Sequence, residues 1–327
     1  MTAYSDYSDF HTDEADEGLG LVDDDDGDAT SLSIKSPVFD YIYENGRRYH
    51  RFHEGAYPLP NDAAEQHRLK LFHHIWYMLM NSKLCKMPLH DPQMVLDVGC
   101  GTGDWAIDMG DCFPSAVVIG TDLSPIQPTW IPPNVKFYVD DAEDEWAFDN
   151  HSFDLVHGRM LVGSINNWPR FFEQAFANLR RGGYVEMNEL ELSFCSDDAS
   201  PEDIEPLNRI VARYNKASKM FGKSFDDVSS MKQNMQHAGF VDIQEEVYKI
   251  PLGNWPANPI LKTLGRTALN AAQQSLEPYF LALGARILGE SAGDIREVTR
   301  ALKKEISKSS LHLYIKAHFI WGRKPDL

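Results

Sequence analysis

The sequence predicts an α/β fold in which helices cover both faces of a mostly parallel sheet. The first observation is a run from residue 94 to residue 109 that has the pattern of a buried strand, a glycine-rich turn and the start of a helix. The second is an alternation of apolar, strand-like segments with amphipathic, helix-like segments up to residue 189. Because parallel strands need crossover helices, and because these crossovers are right-handed, the alternation predicts a parallel sheet.

The central strand is predicted at 94–98, where four apolar residues are interrupted only by Asp97. Gly99, Gly101 and Gly103 follow at alternate positions. Glycine permits a sharp turn and a close approach of the backbone to a ligand, and the free N–H groups of the next helix favour an anion. The spacing is G-x-G-x-G, whereas a dinucleotide-binding turn has G-x-G-x-x-G, so phosphate binding is the weaker interpretation.

Acidic residues follow two further predicted strands. Asp122 ends the strand at 116–122, and a carboxylate at this place can accept hydrogen bonds from both ribose hydroxyls of an adenosine. Leu123, the next residue, can pack against the adenine ring. Asp141 follows the strand at 135–139. We interpret it as a second acid of the ligand site, and a solvated loop end is the alternative interpretation. Two more strands are predicted at 153–158 and 184–189.

The C-terminal part departs from the alternation. Helices are predicted at 202–221 and 224–238, and a sixth strand is predicted at 241–250. The segment 311–319 alternates apolar and polar residues, which is typical of an antiparallel edge strand. The intervening region, 251–310, is mostly helical and too long for a simple turn, so we expect it to form a cap beside the ligand cleft.

Charge is unevenly distributed along the chain. The net charge is −18, and residues 1–30 contain eleven Asp or Glu and no Lys or Arg, so the remainder carries −18 + 11 = −7. Such a block predicts a disordered tail, with a docking segment for a basic partner as the alternative. Neither part has the basic face that direct nucleic-acid binding requires. The predicted organisation is a disordered acidic tail at 1–34, an N-terminal arm and lid helix at 35–90, a core at 91–250, a helical cap insertion at 251–310 and a last core strand at 311–327.

The overall composition predicts a soluble, intracellular globular protein. Of the 327 residues, 43% are hydrophobic, which is enough for a large core. No apolar run reaches the ~18 residues that a membrane span needs, and the acidic N-terminus does not resemble a signal peptide. The four cysteines show no metal-ligand spacing, so we expect reduced thiols and no metal site.

The arm at 39–50 combines tyrosines with a pair of arginines. Tyr and Arg suit an arm that packs on the domain surface and equally an arm that closes over a cofactor cleft, so both interpretations stay open. A helix is predicted to begin after Asn61 as its N-cap. His73 and His74 lie next to each other on this helix, so their side chains point about 100° apart and form a poor metal pair.

The motif D-x-G-x-G-x-G at 97–103 resembles the S-adenosylmethionine (SAM) motif of class I methyltransferases. The resemblance covers about 94–250 and the last strand, and it implies a Rossmann-like sheet that is mostly parallel with an antiparallel last strand. Further segments resemble the LaeA-like group of fungal methyltransferases, which extends the resemblance over nearly the whole chain beyond the acidic tail. These segments are YENGRRYH at 43–50, LPND at 59–62, GTDLSPIQP at 120–128, WIPPNV at 130–135 and GSI at 163–165.

The resemblance implies that SAM is the cofactor and that the D-A pair Asp141–Ala142 meets its adenine. It implies no catalytic residue, because the sulfonium already makes the methyl group electrophilic and the enzyme mainly has to hold the acceptor in line. An acceptor with a high pKa would still need a base, for which His157, Tyr43 and Glu189 are candidates. The implied cofactor-binding residues are Asp97, Gly99, Gly101, Gly103, Asp122, Leu123, Asp141 and Ala142.

Two functions follow from the resemblance. The first is a SAM-dependent methyltransferase of fungal secondary metabolism that acts on a metabolite or a protein. The alternative is a regulatory SAM-binding subunit that works with velvet-domain proteins in the nucleus and catalyses little or nothing itself, and either function places the protein in the nucleus or cytoplasm. A third possibility is a protein that binds SAM and methylates nothing. A small-molecule acceptor predicts a closed apolar pocket under 251–310, whereas a regulatory subunit predicts an exposed partner surface.

Overall fold

Strands and helices alternate along most of the computed structural model, which describes residues 41–326. The predicted acidic tail at 1–34 lies outside the described residues. The strands are β1 (Ile42–Glu44), β2 (Arg47–Tyr49), β3 (Met94–Val98), β4 (Val117–Asp122), β5 (Val135–Val139), β6 (Phe153–Arg159), β7 (Leu179–Cys195), β8 (Val241–Pro251) and β9 (Tyr314–Arg323). The helices are α1 (Ala63–Leu79), α2 (Asp104–Cys112), α3 (Trp168–Asn178), α4 (Pro201–Phe221), α5 (Met231–Ala238), α6 (Pro259–Leu283) and α7 (Ala292–Ile306).

The strands from β3 to β9 form one sheet in the order β5-β4-β3-β6-β7-β9-β8. Strands β5, β4, β3, β6 and β7 run parallel to their neighbours. Strand β9 runs antiparallel to both β7 and β8. The predicted fold class, a mostly parallel α/β sheet with an antiparallel last strand, is therefore confirmed.

Strand β9 lies inside the sheet, so the prediction of an edge strand at 311–319 was wrong. In the structure, Lys316 Nζ lies 3.2 Å from Glu191 on β7. On the other side, His318 Nδ1 lies 2.7 Å from Glu245 on β8. The polar positions of β9 thus meet polar residues of neighbouring strands, and the alternation that suggested a solvated edge reflects these cross-strand pairs.

The central strands are buried on both faces, as expected for parallel strands covered by helices. Val95 and Leu96 of β3 and Leu155 and Val156 of β6 are fully buried. Helix α2 packs on β4 and β5, and α3 packs on β7 and α5. No helix within residues 41–326 is long and apolar enough to cross a membrane.

Two helices begin later than predicted. The N-cap of α1 is Asp62, whose Oδ1 accepts a hydrogen bond from the Glu65 N–H at 3.1 Å. The predicted cap, Asn61, instead donates to Ser124 Oγ at 3.1 Å, which links the start of α1 to the loop after β4. Helix α5 starts only at Met231, after a short 3₁₀ turn.

Arg68, which forms a buried ion pair within the predicted lid helix, also contacts the cap insertion. Arg68 Nε of α1 donates to Glu65 Oε2 at 2.9 Å, and both side chains are almost fully buried. Arg68 Nη1 also donates to Ser275 Oγ of α6 at 3.3 Å. Helices α1 and α6 are therefore held together over one edge of the sheet.

The N-terminal hairpin, β1 and β2, turns at Asn45 and Gly46, whose φ angles are 54° and 79°. Positive φ at both central residues is the conformation that two-residue hairpins favour. Glu44 accepts a hydrogen bond from Arg286 Nε at 3.1 Å, and the Arg286 guanidinium lies 5.0 Å from the centre of the Tyr49 ring. The hairpin is thus anchored on the turn between α6 and α7.

Candidate functional site

A cleft of about 1140 Å³ opens at the carboxyl ends of β3, β4, β5 and β6. Ligands of open parallel sheets bind at this edge, where the connecting loops separate. Backbone and side chains of 99–102, 121–124, 140–142 and 159–161 line the sheet side of the cleft. The opposite wall comes from α1, Tyr279 of α6 and part of the segment 57–61.

The predicted cofactor residues lie around this cleft, with one exception. Gly103 does not line it, but serves as the N-cap of α2 with a φ of 78°. A Cβ atom at Gly103 would lie 2.5 Å from the Phe137 ring, so glycine is required here by the turn and by packing. The residues that line the cleft are Asp97, Gly99, Gly101, Asp122, Leu123, Asp141 and Ala142.

Asp122 joins the end of β4 to the glycine turn. Its Oδ2 accepts a hydrogen bond from the Gly101 N–H at 2.9 Å, and its Oδ1 accepts one from the Ser124 N–H at 2.9 Å. Burial raises the pKa of Asp122 to about 6, although these two N–H groups favour the ionised form. Each oxygen keeps lone pairs for a ligand, so the carboxylate can accept two further hydrogen bonds from the cleft.

Asp141 is held by hydrogen bonds to its own loop and to His53, which precedes α1. Its Oδ1 accepts from the Glu143 N–H at 2.9 Å, and its Oδ2 lies 2.8 Å from His53 Nδ1. His53 Nε2 also lies 3.7 Å from Asp144. These three side chains place potential metal-ligand atoms within 4.8 Å of one another, but His53 and Asp144 are exposed. We interpret the contacts as the link that holds the segment of His53 on the loop after β5.

His157, one of the candidate bases, has the geometry of a structural residue. It is fully buried on β6, with Nδ1 2.7 Å from Asp97 Oδ1 and Nε2 3.3 Å from Asn188 Nδ2. Its ring stacks on Trp105 with 3.7 Å between ring centres. Burial lowers the pKa of His157, and Asp97 acts in the opposite direction. Both ring nitrogens are engaged inside the protein, so His157 is not positioned to take a proton from a substrate.

Arg159 is a cleft residue to which the sequence analysis assigned no role. It ends β6 and lines the cleft, and its Nη2 lies 3.2 Å from His73 Nδ1. Among the described residues, no carboxylate oxygen lies within 4.0 Å of its guanidinium. Burial lowers the pKa of Arg159, and the nearby charge of Asp97 acts in the opposite direction. An arginine at the carboxyl end of a buried strand was a usable signal, because a cation there faces the ligand edge of the sheet.

A second cavity of about 930 Å³, here called the chamber, adjoins the cleft. Phe72, Met160 and Tyr279 line both cavities. Helix α6 supplies the roof of the chamber, and β7 and α4 supply its other walls. The apolar side chains that line it include Val162, Leu190, Leu192, Phe194, Val211, Phe225, Leu276, Phe280, Leu283 and Ile315.

The other two candidate bases differ in position. Tyr43 is 74% exposed on the hairpin and lines neither cavity. Glu189 is buried on β7 and lines the chamber. Its Oε1 accepts a hydrogen bond from the Leu161 N–H at 2.8 Å, and its Oε2 accepts one from the Val162 N–H at 3.2 Å. Glu189 therefore holds the loop that separates the cleft from the chamber.

The chemistry of the cleft fits SAM. This molecule presents a ribose diol, an adenine amino group and an ammonium group as donors, and Asp122, Asp141 and Asp97 provide acceptors of the matching kind. It also presents a carboxylate, for which Arg159 provides a cation. Fold and site together define a SAM-dependent class I methyltransferase.

Sequence comparison agrees with this class and narrows it. The profile of the family described as "Methyltransferase domain" matches residues 79–245. The chain belongs to the LaeA-like family of fungal methyltransferases. It is 38% identical over 304 residues to the methyltransferase pytC of Aspergillus terreus, covering 92% of this chain and 93% of the relative. It is 33% identical over 306 residues to the secondary metabolism regulator LAE1 of Cochliobolus heterostrophus, covering 91% and 99%.

Among solved structures, the chain is similar to phosphoethanolamine N-methyltransferase 2 of Haemonchus contortus in complex with S-adenosyl-L-methionine. The TM-score is 0.44 at 17% identity, and the match covers 78% of this chain and 53% of that chain.

Proposed function

We propose that this protein methylates a small metabolite, with SAM in the cleft and the acceptor in the chamber. The observation that carries the proposal is that Phe72, Met160 and Tyr279 line both cavities. An acceptor in the chamber would therefore lie next to SAM in the cleft. A methyl acceptor must approach the sulfonium to within about 3 Å in line. An apolar concave space beside the cleft suits a small organic molecule, whereas a protein acceptor needs an open surface.

We assign the cofactor contacts by chemistry. Asp122 accepts from the ribose hydroxyls and Asp141 from the adenine amino group, while Leu123 packs on the adenine ring. Asp97 accepts from the ammonium group, and Arg159 donates to the carboxylate. The glycines of the turn let the backbone approach the methionine part closely.

When bound, SAM supplies an electrophilic methyl group, and the chain supplies position and shelter. Helices α1 and α6, joined through Arg68 and Ser275, cover the cleft and the chamber together. The segment 57–61 covers the adenosine side. Exclusion of water from the reacting atoms strengthens electrostatic contacts and prevents hydrolysis. Holding the acceptor in line contributes most of the rate enhancement.

A regulatory role is the second function that the family supports, because LAE1 and several other relatives carry the name "secondary metabolism regulator". A regulatory subunit would bind SAM and act through a partner protein, for which the velvet-domain proteins of the sequence resemblance are the proposed class. The chamber favours the enzyme, since a regulator has no need of an apolar cavity next to its cofactor.

The two functions differ in where a labelled methyl group goes. The protein is incubated with methyl-labelled SAM and with either the organic-soluble or the protein fraction of a fungal extract. We expect the label to enter the organic-soluble fraction. A matched variant, Ala272→Phe, fills the chamber from its α6 wall and should abolish this transfer while S-adenosylhomocysteine (SAH) binding remains.

Label in the protein fraction that Ala272→Phe does not reduce would contradict the proposal and favour a protein acceptor. Binding of SAH with no label in either fraction would favour the regulatory function.

A further inference from the structure

The lining of the chamber contains one carboxyl group. Among the described residues, its lining includes no Arg, Lys or His, and Glu189 is its single acid. The Glu189 carboxylate accepts hydrogen bonds from the N–H groups of Leu161 and Val162, which leaves one lone-pair direction on each oxygen. Leu161 itself lines the cleft, so Glu189 lies where the two cavities meet.

Other polar side chains of the lining already have partners in the protein. Ser193 Oγ donates to Glu191, and Ser275 Oγ donates to the Ala271 carbonyl, each at 2.8 Å. The Tyr214 hydroxyl donates to Glu290 at 2.8 Å, and Asn215 Nδ2 donates to Asp226 at 2.9 Å. Tyr279, which also lines the chamber, offers a further hydroxyl, and Glu189 is the carboxyl group that can take a proton from a polar part of an acceptor. The pairs are Ser193–Glu191, Ser275–Ala271, Tyr214–Glu290 and Asn215–Asp226.

This lining disfavours charged acceptors. A carboxylate or phosphate would enter without a cationic partner and beside an acid, and burying an unpaired charge is costly. An alkylamine would form an ion pair with Glu189, but the carboxylate would then keep the amine protonated and remove the lone pair that attacks the methyl group. A neutral hydroxyl can donate to Glu189 and keep its lone pairs on oxygen.

Building on the proposed function, we propose that the acceptor is an uncharged, largely apolar molecule whose methylated group is a weakly acidic hydroxyl, a phenol or an enol, and that Glu189 accepts its proton. The acceptor oxygen forms a bond to the methyl carbon with its own electron pair. The sulfur–methyl bond breaks, and its electron pair stays on sulfur. The products are a methyl ether, SAH and protonated Glu189, which releases the proton to solvent after the product leaves.

The pKa of Glu189 is close to that of the proposed acceptor hydroxyl. Burial raises the pKa of Glu189 to about 8, which is close to the value of about 10 for a phenol such as tyrosine. The titratable group that faces Glu189 from α6 is Tyr279, whose pKa burial also raises. Behind it lies the Arg68–Glu65 pair of α1, and His318 lies opposite Glu189 in the register of β7 and β9.

The test uses three probes with one ring system: 2-naphthol, 2-(aminomethyl)naphthalene and 2-naphthoate. Fluorescence titration of the full chain saturated with SAH measures binding, and methyl-labelled SAM measures transfer. We expect 2-naphthol to bind at least tenfold more tightly than 2-naphthoate, as one buried unpaired charge implies. It should also be the probe that is methylated, because an amine that pairs with Glu189 stays protonated. Tighter binding of the carboxylate, or preferred methylation of the amine or the carboxylate, would overturn the inference, as would no binding of 2-naphthol.

Variants separate proton transfer from a structural role. Glu189→Gln keeps the shape and an acceptor oxygen, and should lower kcat for 2-naphthol by ~10²–10⁴-fold while SAH affinity stays unchanged. It should also remove the rise of kcat with pH that the wild type shows up to the Glu189 pKa. Glu191→Gln, on the same strand but outside the chamber, is the matched control and should match the wild type. A pH profile unchanged in Glu189→Gln would overturn the inference.

Two further outcomes keep the inference distinct from the proposed function. If Glu189→Gln is poorly folded, Glu189→Asp, which can still take a proton, should retain the pH-dependent rise of kcat, and its loss would overturn the inference. Binding of 2-naphthol that Ala272→Phe does not reduce would overturn the chamber as the acceptor site, and with it the proposed function. Binding that Ala272→Phe abolishes, without any preference for the hydroxyl, would overturn the present inference alone.

Discussion

His157 Nδ1 lies 2.7 Å from Asp97 Oδ1, across the neighbouring strands β6 and β3 and next to the glycine turn. Both side chains are buried, and the histidine ring stacks on Trp105. This pair positions Asp97 at the cleft, where we assign it to the ammonium group of SAM. The histidine acts on the cofactor site through the aspartate.

Removal of this pair should destabilise the fold. His157→Ala leaves a cavity beside Trp105 and a buried carboxylate without its partner, so we expect the free energy of unfolding to fall by about 2–4 kcal/mol. Urea unfolding followed by tryptophan fluorescence measures this. His67→Ala, at an exposed position of α1, is the control and should change the value by less than about 0.5 kcal/mol. A fall in His157→Ala no larger than in the control would show that the pair has no structural role.

Asp122 should make SAM affinity depend on pH. Burial raises the pKa of this carboxyl to about 6, and ribose hydroxyls donate to its ionised form. Affinity should therefore be full above this pH and fall as the pH drops through about 6. Calorimetric titrations at several pH values check the prediction. Asp122→Asn, which cannot ionise, should lose this part of the pH dependence. Equal SAM affinities of the wild type at about pH 5 and about pH 7.5 would contradict it.

Two buried acids should make the free energy of unfolding fall as the pH rises from 4.5 to about 8. Burial raises the pKa of Glu186 to about 7 and that of Glu189 to about 8, from 4.5. At pH values between 4.5 and these raised pKa values, the folded state holds protons that the unfolded state has released. The free energy of unfolding should therefore decrease as the pH rises from 4.5 to about 8. Urea unfolding at several pH values measures the slope, which Glu189→Gln should reduce. A slope that is the same in this variant would show that the carboxyl is not perturbed.

Cofactor binding should protect one part of the N-terminal segment more than another. Tyr57, Pro60 and Asn61 line the cleft, whereas the residues of the hairpin at 42–49 do not. Hydrogen exchange should therefore slow in 53–61 when SAH is added and change little in 42–49. Protection of the hairpin with no change in 53–61 would instead favour the interpretation in which the arm at 39–50 itself closes over the cofactor.

The parts of the site that depend on local sequence could be predicted. The glycine turn, Asp122 and Asp141 each follow an apolar strand directly, and a parallel sheet brings the ends of such strands to one edge. Short-range patterns are enough for this, because the strand period and the turn residues determine the local backbone. The methyltransferase fold and SAM as cofactor, which the resemblance of the motif at 97–103 implied, were correct.

The chamber could not be predicted in the same way. Phe72, Glu189, Val211 and Tyr279 come from α1, β7, α4 and α6, and only tertiary packing brings them together. Each belongs to an amphipathic or buried segment whose pattern indicates burial and not the partner that it faces. The prediction of Asn61 as the N-cap of α1 was wrong because the neighbouring residue, Asp62, caps a helix equally well.

The measurement that tests the account most directly is a calorimetric titration of the wild type and of Asp122→Ala with SAH. The account predicts one binding site in the wild type and an affinity in the variant weaker by about 1.5–3 kcal/mol, because charge-assisted hydrogen bonds to the ribose are lost. The variant should melt at a temperature near that of the wild type. No binding to the wild type, or equal affinity in the folded variant, would contradict the assignment of the cleft to SAM.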